Sequence, residues 1–169
     1  MTDNKRALVT GGSGAIGAAI CIKLAAQNYH VIVHCHKNKA GAQSVVEKIT
    51  HADGSAEIAQ FDMSNGQETM AALSGLLAAG PIQILVNNAG YHDDAPLAGM
   101  QENQWKDVID VILNGFYNVT QPLLLPMMKT RWGRIISISS VAGVMGNRGQ
   151  SNYAAAKSGL HGASKSLAM

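Results

Sequence analysis

Short apolar runs alternate along the chain with longer stretches in which apolar residues recur at helical spacing, the pattern left by strands and helices taken in turn. Ala7–Thr10, Val31–Cys35, Ala56–Phe61, Ile82–Asn87 and Arg134–Ser139 read as five strands. Between them the spacing predicts helices over about Ile16–Gln27, Ala40–Thr50, Gly66–Ala79 and Asn103–Lys129, and a last one opens near Ser151. Such alternation makes parallel βαβ units. Ile82-Gln83-Ile84-Leu85-Val86 is almost continuously apolar, as expected of a parallel strand covered by helices on both faces. The fold expected is an α/β, doubly wound parallel sheet forming a single domain over residues 1–169. Ala78-Ala79-Gly80-Pro81 supplies a helix stop before a strand, and Pro122 and Pro126 are expected to kink the fourth helix. The chain stops at Met169 inside a helical pattern with no capping residue, closing strand or polar tail, so the C-terminal part of the domain reads as missing.

Composition narrows the classes. A chain of 169 residues, 47% hydrophobic and 14% charged, can bury one sizeable core. Its net charge of +2 is scattered and forms no stripe, so nucleic acid is not an expected partner. Cys21 and Cys35 are too few for a disulfide framework and fall inside apolar elements, which suits a reducing compartment. Met1–Arg6 is polar and leads straight into a strand without a signal-peptide core, and no later run reads as apolar and long enough to span a bilayer. A cytoplasmic location away from membranes is the expectation.

Candidate chemistry begins after the first strand, at Thr10-Gly11-Gly12-Ser13-Gly14-Ala15-Ile16-Gly17. Small residues between strand and helix let backbone approach a pyrophosphate, and the helix N-terminus offers free N–H groups. Gly11, Ser13, Gly14, Ile16 and Gly17 are the cofactor contacts this Rossmann-type turn predicts; a tight connection is the alternative. The second strand ends at Val33-His34-Cys35-His36-Lys37-Asn38, without the carboxylate that an adenosine ribose usually meets. His36, Lys37 and Asn38 are donors suited to a 2′-phosphate, which favours NADPH/NADP, or they form a solvated basic turn. Strand alternation turns His34 and His36 one way and Cys35 the other, so these residues make no convergent metal site.

Ser140 closes the fifth predicted strand, and Tyr153 and Lys157 follow four residues apart at the start of the last helix, where that spacing sets both side chains on one face. An ammonium near a phenol favours the phenolate and suits the hydroxyl to general acid–base work. Tyr153 is then placed to hand a proton to a carbonyl oxygen, and Ser140 to polarise that oxygen. Singly, each has a bland reading, as a loop hydroxyl, a half-buried aromatic or a solvated charge.

Together these residues resemble the short-chain dehydrogenase/reductase family over the whole chain. The likeness is carried by Thr10-Gly11-x-x-x-x-Ile16-Gly17, Asp62 after the third strand, Asn87-Asn88-Ala89-Gly90 after the fourth, Ser140, and Tyr153-x-x-x-Lys157. It implies that Asp62 and Met63 contact the adenine, that Asn88, Ala89 and Gly90 shape the cofactor cleft, and that Lys157 also binds the nicotinamide ribose. A helix cap at Asp62 and a plain turn at Asn87–Gly90 are the alternatives. Within the family, Gly133 to Val141 and Gly146 to Lys157 look most like 3-oxoacyl-acyl-carrier-protein reductases. That implies NADPH-dependent reduction of a 3-oxoacyl thioester in a tetramer, with Lys129, Arg131 and Arg134 as a basic docking surface for the acidic carrier protein, or as a solvated helix end. Another ketone or alcohol oxidoreductase of the family, or a non-catalytic nucleotide-binding subunit or fragment, stays open.

The chain departs from the family pattern in three places. Gly14 stands where the carrier-protein reductases often have Arg, and Ala15 where the family usually has Gly. A further catalytic Asn, which holds a relay water, falls on Ile112; Asn114 lies roughly 200° round a helix from it and would have to turn inward to serve. The third departure is the early end.

Overall fold

The computed structural model describes residues 5–169, so Met1–Asn4 of the polar N-terminal stretch lie outside the described residues. β1 (Arg6–Val9), β2 (His30–Cys35), β3 (Ser55–Gln60), β4 (Ile84–Asn87) and β5 (Arg134–Ser137) form one parallel sheet in the order β3-β2-β1-β4-β5. Its connections carry α1 (Ala15–Ala25), α2 (Lys39–His51), α3 (Gly66–Ala78), α4 (Glu102–Ile109) and α5 (Gly115–Lys129); α6 (Ala142–Met145) and α7 (Ser151–Leu167) follow β5. The doubly wound α/β fold expected from the sequence is the one observed.

Alternation along the strands divides the core. Val9, Val31, Val33 and Val86 meet Cys21 of α1 and Val45 and Ile49 of α2 on one face. Leu8, Ile32 and Leu85 meet Leu73 of α3 and Val119, Leu123 and Met127 of α5 on the other. Because successive strand residues point to opposite faces, a strand buried on both sides has to be apolar throughout, which is why the runs read so plainly. A third cluster joins α4 and α5 to α7 through Val108, Ile112, Phe116, Ala156 and Leu160. Arg6 ties the base of the sheet together: its guanidinium donates to the carbonyls of Leu76 and Gly80 at the end of α3, both at 2.7 Å, and to Glu57 at 2.9 Å.

Three expectations change. The fifth strand ends at Ser137, so Ser140 lies in the turn after it. The long helix widens at Asp110–Asn114 into a single π-helical turn, and α5 continues as helix across Pro122 and Pro126. Burial of Val119, Leu123 and Met127 against the sheet holds the helix through Pro122 and Pro126. Finally, the helical run Glu102–Lys129, with 28 residues and an 18-residue stretch of mean hydropathy 1.2, is by length and composition alone long and apolar enough to cross a membrane. Here Val119, Leu123 and Met127 of this run face the sheet and Val108, Ile112 and Phe116 face α7.

Leu123 is fully buried, and truncation to alanine removes contacts that its neighbours cannot replace. Leu123→Ala is expected to destabilise the fold by about 2–5 kcal/mol, measured as a lowered urea midpoint with an unchanged slope.

Candidate active site

The sheet order reverses between β1 and β4, so the connections leaving these neighbours cross to opposite faces and leave a crevice at their C-terminal ends. The cleft there has a volume of about 1020 Å³. One wall is the turn after β1. Gly11 has φ +64°, and a Cβ on it would lie 2.9 Å from Ala89 Cα; a Cβ on Gly17 would run into the Gly11 carbonyl. Thr10 Oγ1 accepts from the N–H groups of Asn88 and Ala89, both at 3.0 Å, and Asn88 Nδ2 donates to Thr10 O at 2.9 Å. The Asn87–Gly90 segment is therefore a brace for the glycine turn as well as a wall of the cleft. Gly14, the N-cap of α1, offers no side-chain cap, which leaves the first-turn N–H groups available to an anion. Gly11, Ser13, Gly14, Ile16 and Gly17 all line the cleft, with Asn88, Ala89 and Gly90 opposite.

The far end lies beyond β2 and β3. His36, Lys37, Asn38, Asp62 and Met63 line it. Asn38 is also the cap of α2, accepting from Gly41 N at 3.0 Å. α3 is capped by Asn65, so Asp62 is not a helix cap. Asp62 Oδ1 instead accepts from the Ser64 hydroxyl at 2.7 Å and amide at 2.9 Å, and Oδ2 lies 3.8 Å from His36 Nε2. Burial raises this carboxyl, but the Ser64 bonds, with His36 and Lys37 nearby, outweigh it and hold the group below the usual carboxylate range. Met63 turns its side chain into the core.

His34, unassigned by the sequence, is buried at 2% exposure beneath this end. Its Nδ1 accepts from Gly11 N at 3.0 Å, its Nε2 bonds to Phe61 O at 3.0 Å, and its ring lies 4.2 Å from that of Phe61. Burial pushes its imidazole down to about 4, against a smaller opposing effect of the Phe61 carbonyl.

At the reactive end, Tyr153 and Lys157 on α7 open into the same cleft as the glycine turn. Lys157 is 3% exposed, its Nζ donates to Ile138 O at 2.7 Å and lies 5.7 Å from the centre of the Tyr153 ring. Burial holds Lys157 below its usual range, and two of its three N–H donors remain for other partners. Asn152, fully buried, positions this helix start: Nδ2 donates to Asp93 O at 2.9 Å and Gln104 O at 2.8 Å, and Oδ1 accepts from Tyr153 N at 2.8 Å. Ser140 stands in the turn beside the cleft and is not among its lining residues; Ile138 and Ser139 are. The Ser140 hydroxyl accepts from Ala142 N at 3.2 Å. Ile112 is 3% exposed among apolar neighbours, and Asn114 is turned outward, bonded to Asp110 at 2.6 Å.

Comparison with known proteins agrees with this arrangement. The sequence model of the family described as short chain dehydrogenase matches residues 5–169. The chain belongs to the short-chain dehydrogenase family. It is 38% identical over 164 residues to the 3-oxoacyl-[acyl-carrier-protein] reductase FabG of Aggregatibacter actinomycetemcomitans, covering 96% of this chain and 68% of that one. It is 40% identical over 169 residues to the FabG of Staphylococcus aureus, covering 99% and 69%. The acetoacetyl-CoA reductase of Allochromatium vinosum is 41% identical over 165 residues, covering 96% and 67%.

As a short-chain dehydrogenase the chain keeps a cleft that fits a dinucleotide: a turn too tight for side chains, uncapped helix amides, and a long trough with donors at its far end. Ala15 opens α1 with its methyl exposed, so the extra carbon is accommodated outside the tight part of the turn. Sequence reasoning missed His34 and the positioning role of Asn152, because their service depends on neighbours brought together only by folding.

The unfolded chain takes up a proton on His34 near pH 6.5, the buried ring only near 4. Lowering the pH through this window therefore favours unfolding, by about 3 kcal/mol in all. Denaturant titrations from pH 7 to 4 are expected to show this loss, and His34→Gln to flatten it.

Proposed function

We propose that the protein is an NADPH-dependent reductase of 3-oxoacyl thioesters, presented on an acidic acyl carrier protein. The observation that carries the reading is the opening of Tyr153 and Lys157, one helical turn apart, into the cleft formed by the glycine turn. The names of the relatives supply the substrate class. When bound, the reduced nicotinamide supplies a hydride to the carbonyl carbon. Tyr153 gives its hydroxyl proton to the carbonyl oxygen, and Ser140, whose oxygen accepts from Ala142 N and whose own proton stays free, donates to that oxygen. Lys157, anchored on Ile138 O, holds the nicotinamide ribose and favours the phenolate left behind.

Preference for NADPH over NADH rests on His36 and Lys37 at the end of β2, with Asn38 beside them and no carboxylate in that turn. Gly11, Ser13, Gly14, Ile16 and Gly17 hold the pyrophosphate, Asp62 and Met63 the adenine, and Asn88, Ala89 and Gly90 the nicotinamide half. Lys129, Arg131 and Arg134, all exposed, form the surface for the carrier. Tyr117, Leu125 and Met128 are each more than 60% exposed on the outer side of α5, which supports self-association, as a tetramer, through that helix. Two unpaired thiols, Cys21 and Cys35, suit a reducing cytoplasm.

The test is oxidation of NADPH by the purified chain with a 3-oxoacyl thioester, followed at the nicotinamide absorbance beside NADH. Tyr153→Phe is expected to lower turnover at least about 100-fold; turnover that survives it removes Tyr153 from the reaction. Equal rates with NADH remove the 2′-phosphate assignment.

The apolar setting of Ile112 and the outward Asn114 favour a second reading, in which the chain binds nucleotide but turns over slowly. On that reading Ile112→Asn raises kcat by about tenfold or more, while an unchanged kcat places proton delivery elsewhere.

A further inference from the structure

We propose that His34 is a positioning residue for the adenosine half of the dinucleotide, fixing the separation between the turn after β1 and the turn after β3. The inference rests on reading the cleft as a dinucleotide site. Gly11 N–H can only donate and the Phe61 carbonyl can only accept, so bonds of 3.0 Å to each require a neutral ring protonated at Nε2. One planar side chain from β2, which lies between β1 and β3, thus joins a turn from each neighbouring strand.

Both joined groups lead directly into predicted nucleotide contacts. Gly11 begins the pyrophosphate turn, and Phe61 precedes Asp62 and Met63. The Gly11 turn is held on its carbonyl side by Asn88, through Thr10 O and Gly11 O, whereas its N–H side is held by His34. The wall formed by Asp62 has no comparable tie to β1 among the hydrogen bonds described. The Phe61 ring, 4.2 Å away at 47°, keeps the imidazole from swinging about its strand. In a strand whose preceding residues are Val31, Ile32 and Val33, an aliphatic side chain at position 34 would fill the volume yet leave Gly11 N–H and Phe61 C=O without partners. The two turns would then be free to settle at separations that suit the apo chain and not the nucleotide. The imidazole, 2% exposed at the floor of the cleft, acts through its two bonds by setting where the turns that meet the nucleotide stand.

The experiment is calorimetric titration of 2′-phospho-ADP-ribose, and separately of nicotinamide mononucleotide, into wild type, His34→Phe and His34→Gln. In His34→Phe, which keeps the ring and loses both bonds, affinity for 2′-phospho-ADP-ribose is expected to fall about tenfold. The mononucleotide is expected to lose far less, and His34→Gln, which retains an acceptor and a donor, to recover part of the loss. A folded His34→Phe that binds 2′-phospho-ADP-ribose as tightly as wild type overturns the proposal alone; a wild type that binds neither half overturns the dinucleotide reading beneath it. Should His34→Phe fail to fold, nitrogen-15 histidine spectra of wild type decide. Saturation with 2′-phospho-ADP-ribose is expected to shift the His34 ring nitrogens, and unchanged signals overturn the assignment.

Discussion

The direct pairing of β1 with β4 is the constraint on which the rest of the molecule depends. Val9 lies opposite Val33 on one side and Val86 on the other, so the chain must wind outward from β1 in both directions. Connections from β1 and β4 then cross to opposite faces, and no helix can cover the space between them. The cleft is a necessary product of that strand order, and both halves of the candidate site, the glycine turn and the Tyr153/Lys157 pair, are brought to it from segments far apart in the chain.

Polar groups are buried mainly where this crevice meets the sheet. Thr10, His34, Asn152 and Lys157 are each at most 3% exposed, and each binds backbone groups of a turn that no ladder can satisfy. Such groups are costly to bury unless bonded and informative once bonded. Here they give the turns definite positions that apolar packing, which is non-directional, would leave loose. His34 and Lys157 are also held toward their neutral forms by burial, so the same desolvation that makes them good braces changes their acid–base character.

The seat of α7 shows how a buried apolar side chain serves the frame beside the reactive pair. The π-helical turn at Asp110–Asn114 and the apolar cluster beneath it seat α7 through Ala156 and Leu160. Ile112 serves that packing well. It offers no hydrogen bond to the region behind Lys157, and Asn114 is committed to Asp110 on the outer side. Packing is the demand that position 112 meets in this chain, with Ile112 buried in the apolar cluster.

Much of this was legible in the residues alone. Strands buried on both faces are apolar throughout, glycines in a strand–helix turn announce a close backbone approach, and Tyr153 and Lys157 four apart on a helix must share a face; these follow from local geometry, which sequence spacing records directly. By contrast, the π-helical turn at Asp110–Asn114, the division of the long apolar helix between the sheet and α7, and the place of Ser140 beyond the strand end depend on what packs against each segment. The same holds for His34, which in the sequence is only a polar residue at the end of an apolar strand. Its partners, Gly11 and Phe61, lie 23 and 27 residues away, and only the lateral order of β1, β2 and β3 brings them to its two nitrogens. The sequence determined which segments are strands, helices and reactive turns because those depend on neighbours along the chain; the tertiary structure decided which polar side chains hold the turns in place, because a hydrogen bond is directional and its partner is chosen by the sheet.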